Sequence, residues 1–219
     1  MTVAGRNKGN TREKIVDTAI QLFTERGVSN VSTNHIASAM GISPGNLYYH
    51  FRNKEDILWQ ALMRFSDAMA QLLGSPEEEV IDVPRLRRYL EDAIGVFQGY
   101  RFFLENEVGL VRESERLEKA FRGLEKEIIA KLVEIYTAAN KSGIMSGPQG
   151  REELEALANN TWIIFSNWLN FLRTNRGTTD ASATERKSGV FHIFSLFQPY
   201  LTEAADKQVR TLFLRNEAG

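Results

Sequence analysis

The 219-residue chain is 42% hydrophobic and 25% charged, which fits an ordinary folded protein of one or two domains. It contains no cysteine, and this excludes disulfides, thiolate metal sites and a cysteine nucleophile. The formal net charge of −1 excludes a chain that is a nucleic-acid polyelectrolyte throughout. The balance is uneven, however. Over the first 60 residues Arg6, Lys8, Arg12, Lys14, Arg26, Arg52 and Lys54 outnumber Glu13, Asp17, Glu25, Glu55 and Asp56. A small basic excess at one end suits a nucleic-acid-reading head on a more acidic body.

Residues 1–10 read as a polar arm, disordered without a partner. Arg6, Lys8 and Arg12 are either tail charges or contacts to phosphate or a minor groove. The arm has no apolar core of signal-peptide length, and no run reaches the roughly 20 apolar residues of a membrane span. The expectation is a cytoplasmic protein that does not engage a membrane. From Thr11 to Arg26, Ile15, Ala19, Leu22 and Phe23 recur at helical spacing, and Gly27 ends the helix. Ser32 is a natural N-cap for a second helix that runs to Met40. Gly41 supplies the left-handed residue that stops it. Ser43 then caps a short third helix, Pro44 to His50, with proline at the position where its missing N–H costs nothing. Ile36, Ala37, Met40, Ile42, Leu47 and Phe51 fit the inside of a small helical domain. Two short helices joined by a tight turn form a helix-turn-helix, whose second helix enters a DNA major groove.

Asn53 caps a long helix with Glu55 and Asp56 in its first turn, where the helix dipole favours negative charge. Leu58, Leu62, Phe65, Met69 and Leu72 mark its inner face. SPEEEVIDVP, residues 75–84, breaks the pattern. The division expected is therefore 1–53 for arm and helix-turn-helix, 54–74 for a connecting helix, and 75–219 for a helical regulatory and dimerisation domain. In that last region Leu86, Leu90, Ile94 and Phe97 make one amphipathic helix, interrupted near Gly99 before Tyr100–Arg112. Leu117, Phe121, Leu124, Ile128, Leu132 and Ile135 form a long stripe. NKSGIMSGPQG is a break. Leu154, Leu157, Thr161, Phe165, Trp168 and Leu172 define the next helix, and NRGTTDASAT is a loop. A last long helix carries Val190, Phe191, Phe194, Phe197 and Leu201, kinked or tightened at Pro199. A short helix near Asp206–Leu214 ends the chain. No strand alternation and no repeat is found, so the fold class is all-α.

The run GISPGNLYYHFRNKEDIL, preceded by TREKIVDTAIQLFTERG, resembles the N-terminal domain of TetR-family transcriptional regulators, closely over residues 11–60 and loosely beyond. YRFFLENEVGLV is similar to a sub-group of that family, more weakly. The resemblance implies a DNA-binding regulator, repressor by default, released from a palindromic operator when a small molecule binds the C-terminal domain.

For positioning on DNA, Lys54 sits at a helix N-terminus that already favours an anion. Thr33 and Asn34 start the helix before the turn and can hold a second phosphate. The resemblance implies that Tyr49 and Tyr48 contact the DNA backbone or base methyl groups. His50 reads equally as a core or capping histidine or as a phosphate ligand. For base reading, the outward first turn offers Pro44, Gly45 and Asn46. Asn46 is the residue there able to pair bidentately with adenine, and Gly45 allows close backbone approach.

In the body, Phe97, Tyr100, Phe103, Phe121, Tyr136, Trp162 and Phe165 are candidates for lining an effector pocket, though each also reads as core. Asn159, Asn160, Thr161, Ser166, Asn167, Arg101 and Glu105 are candidate polar groups. The last two long helices are apolar on more than one face, which asks for a second burial surface. In the family resembled, such helices pair across a two-fold axis, which implies a homodimer. His35, His50 and His192 are scattered and no acid–base or metal-ligand spacing stands out. No cofactor, metal site or catalysis is therefore expected. A protein-binding adaptor with a degenerate head is the rival reading, and it would bind no duplex in a salt-dependent way.

Overall fold

The computed structural model describes residues 3–74, 81–177 and 182–214; the side chains of residues 3–10, 176, 183, 184, 186, 187 and 212–214 fall outside the description. Its helices are α1 (Val3–Arg26), α2 (Thr33–Ala39), α3 (Pro44–His50), α4 (Lys54–Leu73), α5 (Val83–Gly99), α6 (Arg101–Glu113), α7 (Glu115–Lys141), α8 (Arg151–Arg176), α9 (Ala183–Phe197) and α10 (Glu203–Leu214). Short 3-10 turns occupy Val28–Asn30 and Gln198–Tyr200. Among the described residues no strand forms, and Met145 and Leu201 make one isolated antiparallel bridge. Helix α1 extends back to Val3, into the segment expected to be an arm. The expected contacts of Arg6 and Lys8 lie outside the described side chains, and most of the expected boundary loop lies outside the described residues.

The chain divides into two compact units, Met1–Asp67 with Gly99–Arg122, and Ala68–Gln98 with Gly123–Gly219. Helices α4 and α7 each contribute residues to both. The inclusion of Gly99–Arg122 with the N-terminal residues is not apparent from chain order.

In the first unit the helix ends follow their cap chemistry. Ser32 Oγ accepts from the His35 amide and His35 Nδ1 accepts from the Ser32 amide, a reciprocal pair that closes the start of α2. Gly41 turns the chain at φ 66°. Ser43 Oγ accepts from the Asn46 amide, and Asn53 Oδ1 from the Asp56 amide. Ile15, Val16, Ala19, Phe23, Ile36, Ala37, Leu47, Phe51, Ile57, Leu58, Leu62 and Phe65 are buried, while Met40 and Ile42 are only half-buried at the turn. Helix α6 completes this core. Phe102 packs on Phe23 with ring centroids 5.4 Å apart, Phe103 on Phe121 at 5.4 Å, and Tyr100 stacks on Phe65 at 5.1 Å.

A polar clamp joins the α6–α7 corner to the start of α4. The Ser114 hydroxyl donates to Glu55, and Ser114 Oγ also accepts from the Leu117 amide. Arg116 lies over the Trp59 ring at 4.1 Å and donates to Asp56 at 2.8 Å. Arg52 Nε donates to the other Asp56 oxygen at 3.2 Å. Partial burial pushes the Asp56 carboxyl up, but its hydrogen bonds to Arg116 and Arg52 outweigh burial and hold it below the usual aspartate value.

In the second unit, α8 and α9 lie close together because α9 carries Gly189 opposite Trp168. A Cβ there would stand 2.6 Å from Trp168 Nε1 and 2.9 Å from Cδ1. Helix α9 stops at Phe197 and tightens into the 3-10 turn at Pro199. It does not reach Leu201, which the apolar spacing had placed on it. Pro199 lacks the N–H that would continue the helical ladder.

Two outcomes are expected. Gly189→Ala gains about 1 kcal/mol of helix propensity, but overpacking against a buried indole costs about 1–3 kcal/mol. The variant should therefore have a lower urea midpoint with an unchanged slope. Asp56→Asn should lose about 1–2 kcal/mol at neutral pH, as charged hydrogen bonds are lost from a partly solvated site. Because the folded Asp56 pKa is depressed, its contribution is full above the unfolded value of 3.8 and disappears as pH falls through the lower folded value. The stability gap between wild type and Asp56→Asn, followed by urea midpoints, should shrink below pH 3.8.

Candidate nucleic-acid interface

Helix α3 is held by Leu47 and Phe51, which are 0% and 2% exposed. Four residues apart, they occupy one face, so the residues between them turn outward. Tyr49 is 65% exposed and Tyr48 49%. Pro44, Gly45 and Asn46 are exposed in the first turn. The Asn46 amide is satisfied by Ser43, while its side chain lies on the exposed surface. His50 is half-buried in the last turn, edge-on to Tyr49 with centroids 5.3 Å apart.

Tyr48 lines two open grooves. One runs along Ser32, Thr33, His35, Arg52, Asn53 and Lys54. There the Tyr48 and Thr33 hydroxyls share a hydrogen bond of 3.0 Å, fixing the recognition helix to the start of α2. Asn34 is exposed beside Thr33. Lys54 is tied more firmly than its position alone suggests. Its ammonium donates to the carbonyls of Val28 at 3.0 Å and Val31 at 3.1 Å. Two of its three N–H groups thus hold the 3-10 turn and the residue that follows it, and these bonds do not use the third.

The second groove is lined by Arg12, Tyr48, Tyr49, His50, Arg52, Asp56 and Arg116. Arg12 lies over the Phe51 ring at 4.8 Å. The carboxylate here, Asp56, is already bonded to two guanidinium groups. The site as a whole therefore presents cations around exposed phenols and helix-start amides, which is the chemistry of phosphodiester binding. Arg52 and Arg116 were absent from the residues expected here. Arg52 follows the helix directly and was legible as a neighbouring charge. Arg116 is 60 positions from Asp56 and reaches the groove only through the α6–α7 corner.

Of the aromatic residues expected around an effector, Phe97, Tyr136, Trp162 and Phe165 line one apolar cavity of about 30 Å³ in the second unit. Met69, Leu73, Leu86, Tyr89 and Ile135 share its wall. Tyr100, Phe103 and Phe121 belong to the first unit's core instead. The Tyr136 hydroxyl donates to Thr161 Oγ1 at 2.8 Å, and Thr161 donates to the Leu157 carbonyl at 2.9 Å. Burial pushes the Tyr136 hydroxyl pKa up, and the bond to Thr161 offsets this only in part, so the phenol is neutral. Asn159 and Asn167 donate to backbone carbonyls of their own helix, and Arg101 donates to Thr24 in the first unit.

Comparison with known proteins meets this geometry from both ends of the chain. Residues 15–61 match the family described as bacterial regulatory proteins, tetR family, and residues 64–209 match the TetR family described as a bacterial transcriptional repressor. An HTH-type transcriptional regulator of Staphylococcus aureus is 43% identical over 56 residues, which are 26% of this chain and 30% of that protein. The chain thus matches under a third of the length of that curated relative. A TetR-family transcriptional regulator from Marinobacter aquaeolei VT8 is 34% identical, covers 94% of this chain and 98% of that one, and superposes with a TM-score of 0.85. SmeT, the repressor of the Stenotrophomonas maltophilia multidrug efflux pump SmeDEF, superposes at TM-score 0.63 over 89% of this chain and 92% of its own, with 18% identity, a likeness of fold. Regulators of this family bind DNA, act as dimers and are not enzymes. No helix among the described residues is long and apolar enough to cross a membrane. The protein belongs to the TetR family of DNA-binding transcriptional regulators.

Proposed function

We propose that the protein is a cytoplasmic repressor that grips a palindromic operator as a homodimer and releases it when a small molecule enters the C-terminal unit. The observation that carries the reading is the outward face of α3. Tyr48 and Tyr49 are exposed, Asn46 sits in the free first turn, and cations flank both sides. Thr33, Asn34, Tyr48, Tyr49, His50 and Lys54 position the head on phosphates, with Arg52 and Arg116 beside them. Pro44, Gly45 and Asn46 approach the base edges.

One such head covers too few base pairs for tight specific binding. Two heads spaced about 34–36 Å apart, one DNA turn, solve this. The surface that supports pairing is on α8 and α9. Ile163, Phe171 and Phe191 are 56%, 47% and 53% exposed, while Trp168, Leu172, Val190 and Phe194 of the same helices are buried. Helices apolar on a second, uncovered face suit a two-fold helix-pair interface.

The small size of the cavity supports a release mechanism. A space of about 30 Å³ is far below that of a drug-sized ligand site. A ligand can enter only a rearranged form, so it must favour that form over the one present here. Met69 and Leu73 on the cavity wall belong to α4, the helix whose first turn carries Asp56 and the Lys54 side chain. Displacing them moves the helix on which the head is built. By linkage, operator DNA must weaken effector binding by the same factor.

Selection from a random duplex pool should return an inverted repeat; a single unrepeated motif would contradict the dimeric reading. Tyr49→Ala should weaken binding to every duplex without unfolding the protein, because its ring is largely solvated. Asn46→Ala should relax preference at one base pair, by about 1–3 kcal/mol, read from competition against single-base variants. Phe191→Glu should yield monomers in sedimentation and a sharp loss of operator affinity.

A further inference from the structure

Trp168 is where the second unit leaves a buried hydrogen-bond donor unsatisfied. The residue is 8% exposed, and its Nε1–H has no hydrogen-bond partner. Orphaned buried donors are rare, because each forfeits its bond to water without compensation. Among the described residues Trp168 Nε1 is the one such side-chain donor; the other unsatisfied atom, Asn140 Oδ1, is an acceptor.

The surroundings show why nothing fills the need. A small cavity of about 10 Å³ adjoins the indole, lined otherwise by Ile94, Phe97, Phe165, Leu169, Gly189 and Ile193. That is scarcely one water's worth of space, and water needs two to four polar partners where this wall offers one. Gly189 brings the α9 backbone up to the indole, where a Cβ would stand 2.6 Å from Nε1, yet it supplies no acceptor for the N–H.

This small cavity and the larger one of about 30 Å³ share two walls, Phe97 and Phe165. Those rings stack with centroids 5.4 Å apart and an interplanar angle of 17°. Both rings are buried and stand between the two spaces, so the spaces join only if the pair turns aside. The joined space is apolar along its length and no charged side chain lines either part. An ionised ligand head there would lose its hydration with no counter-charge. The Tyr136 proton is already given to Thr161.

We infer that the effector is a neutral molecule with an elongated apolar body and one oxygen acceptor, a ketone, ester or ether, and that Trp168 Nε1–H is the group that recognises this oxygen. The inference rests on the reading of the C-terminal unit as an effector site and adds the ligand's chemical class to it. A free fatty acid in its ionised form does not fit.

The test compares two isosteric probes, 2-nonanone and 2-methyl-1-nonene, on the full chain and on Trp168→Phe. The ketone's affinity should fall about tenfold in Trp168→Phe, because its oxygen is then buried without a donor. The olefin's affinity should stay within about twofold, because it makes no such bond, and the cycle isolates the hydrogen bond from packing. Equal losses for both probes would overturn the role of the indole and leave the effector site standing. Failure of both probes to bind the wild type would overturn the inferred ligand class without bearing on whether another effector occupies the unit. If Trp168→Phe does not fold, the wild type decides through the indole N–H resonances of its three tryptophans, assigned with Trp59→Phe and Trp162→Phe. The ketone, and not the olefin, should move the Trp168 resonance downfield. No movement would overturn the inference.

Discussion

Leu47 and Phe51, one helical turn apart and both withdrawn from solvent, fix the rotation of α3 about its own axis. That rotation decides which side chains the helix can offer to a groove. A short helix of seven residues has little stability of its own. Burial of these two side chains, worth about 1.5–3 kcal/mol each, supplies what propensity does not. The Ser43 cap and Pro44 set where it starts, and the Thr33–Tyr48 bond sets its angle to α2. The two exposed tyrosines are therefore a consequence of the core, not of a loop free to adjust, and such preorganisation lowers the cost of binding.

The same unit recruits residues from far along the chain. Phe102, Phe103 and Phe121 complete its core, and Ser114 and Arg116 clamp the start of α4. Arg116 holds Asp56, stacks on Trp59, and borders the groove beside Tyr49. Anything that displaces the α6–α7 corner disturbs the charge pattern next to the recognition helix. This ties Arg52, just past α3, to residues outside the helix-turn-helix through the hydrogen bonds at Asp56.

Much of the head was legible in the sequence because its signals are local. Ser32, Gly41, Ser43, Pro44 and Asn53 each act on the next few residues, and each does in the structure what its chemistry dictates. Tertiary contributions were not legible. Tyr100, Phe103 and Phe121 carry the same apolar signature as Phe97 and Phe165, and spacing cannot say which core a face will join. Lys54 illustrates the limit at one residue: its helix-start position points to an anion, yet two carbonyls 23 and 26 residues away take most of its donors. Pro199 reads in the sequence as a kink or a tightening, and in the structure it is a tightening, with α9 ending before Leu201.

Hydrogen exchange of the protein with and without its selected duplex tests the central claim most directly. Amides in the first turn of a helix lack intrahelical partners and exchange readily unless covered. Bound DNA should slow Thr33, Asn34 and Gly45 together, with protection extending to Tyr48 and Tyr49 and absent from the far side of α1. Protection that left the first turns of α2 and α3 unchanged while appearing elsewhere would contradict the account.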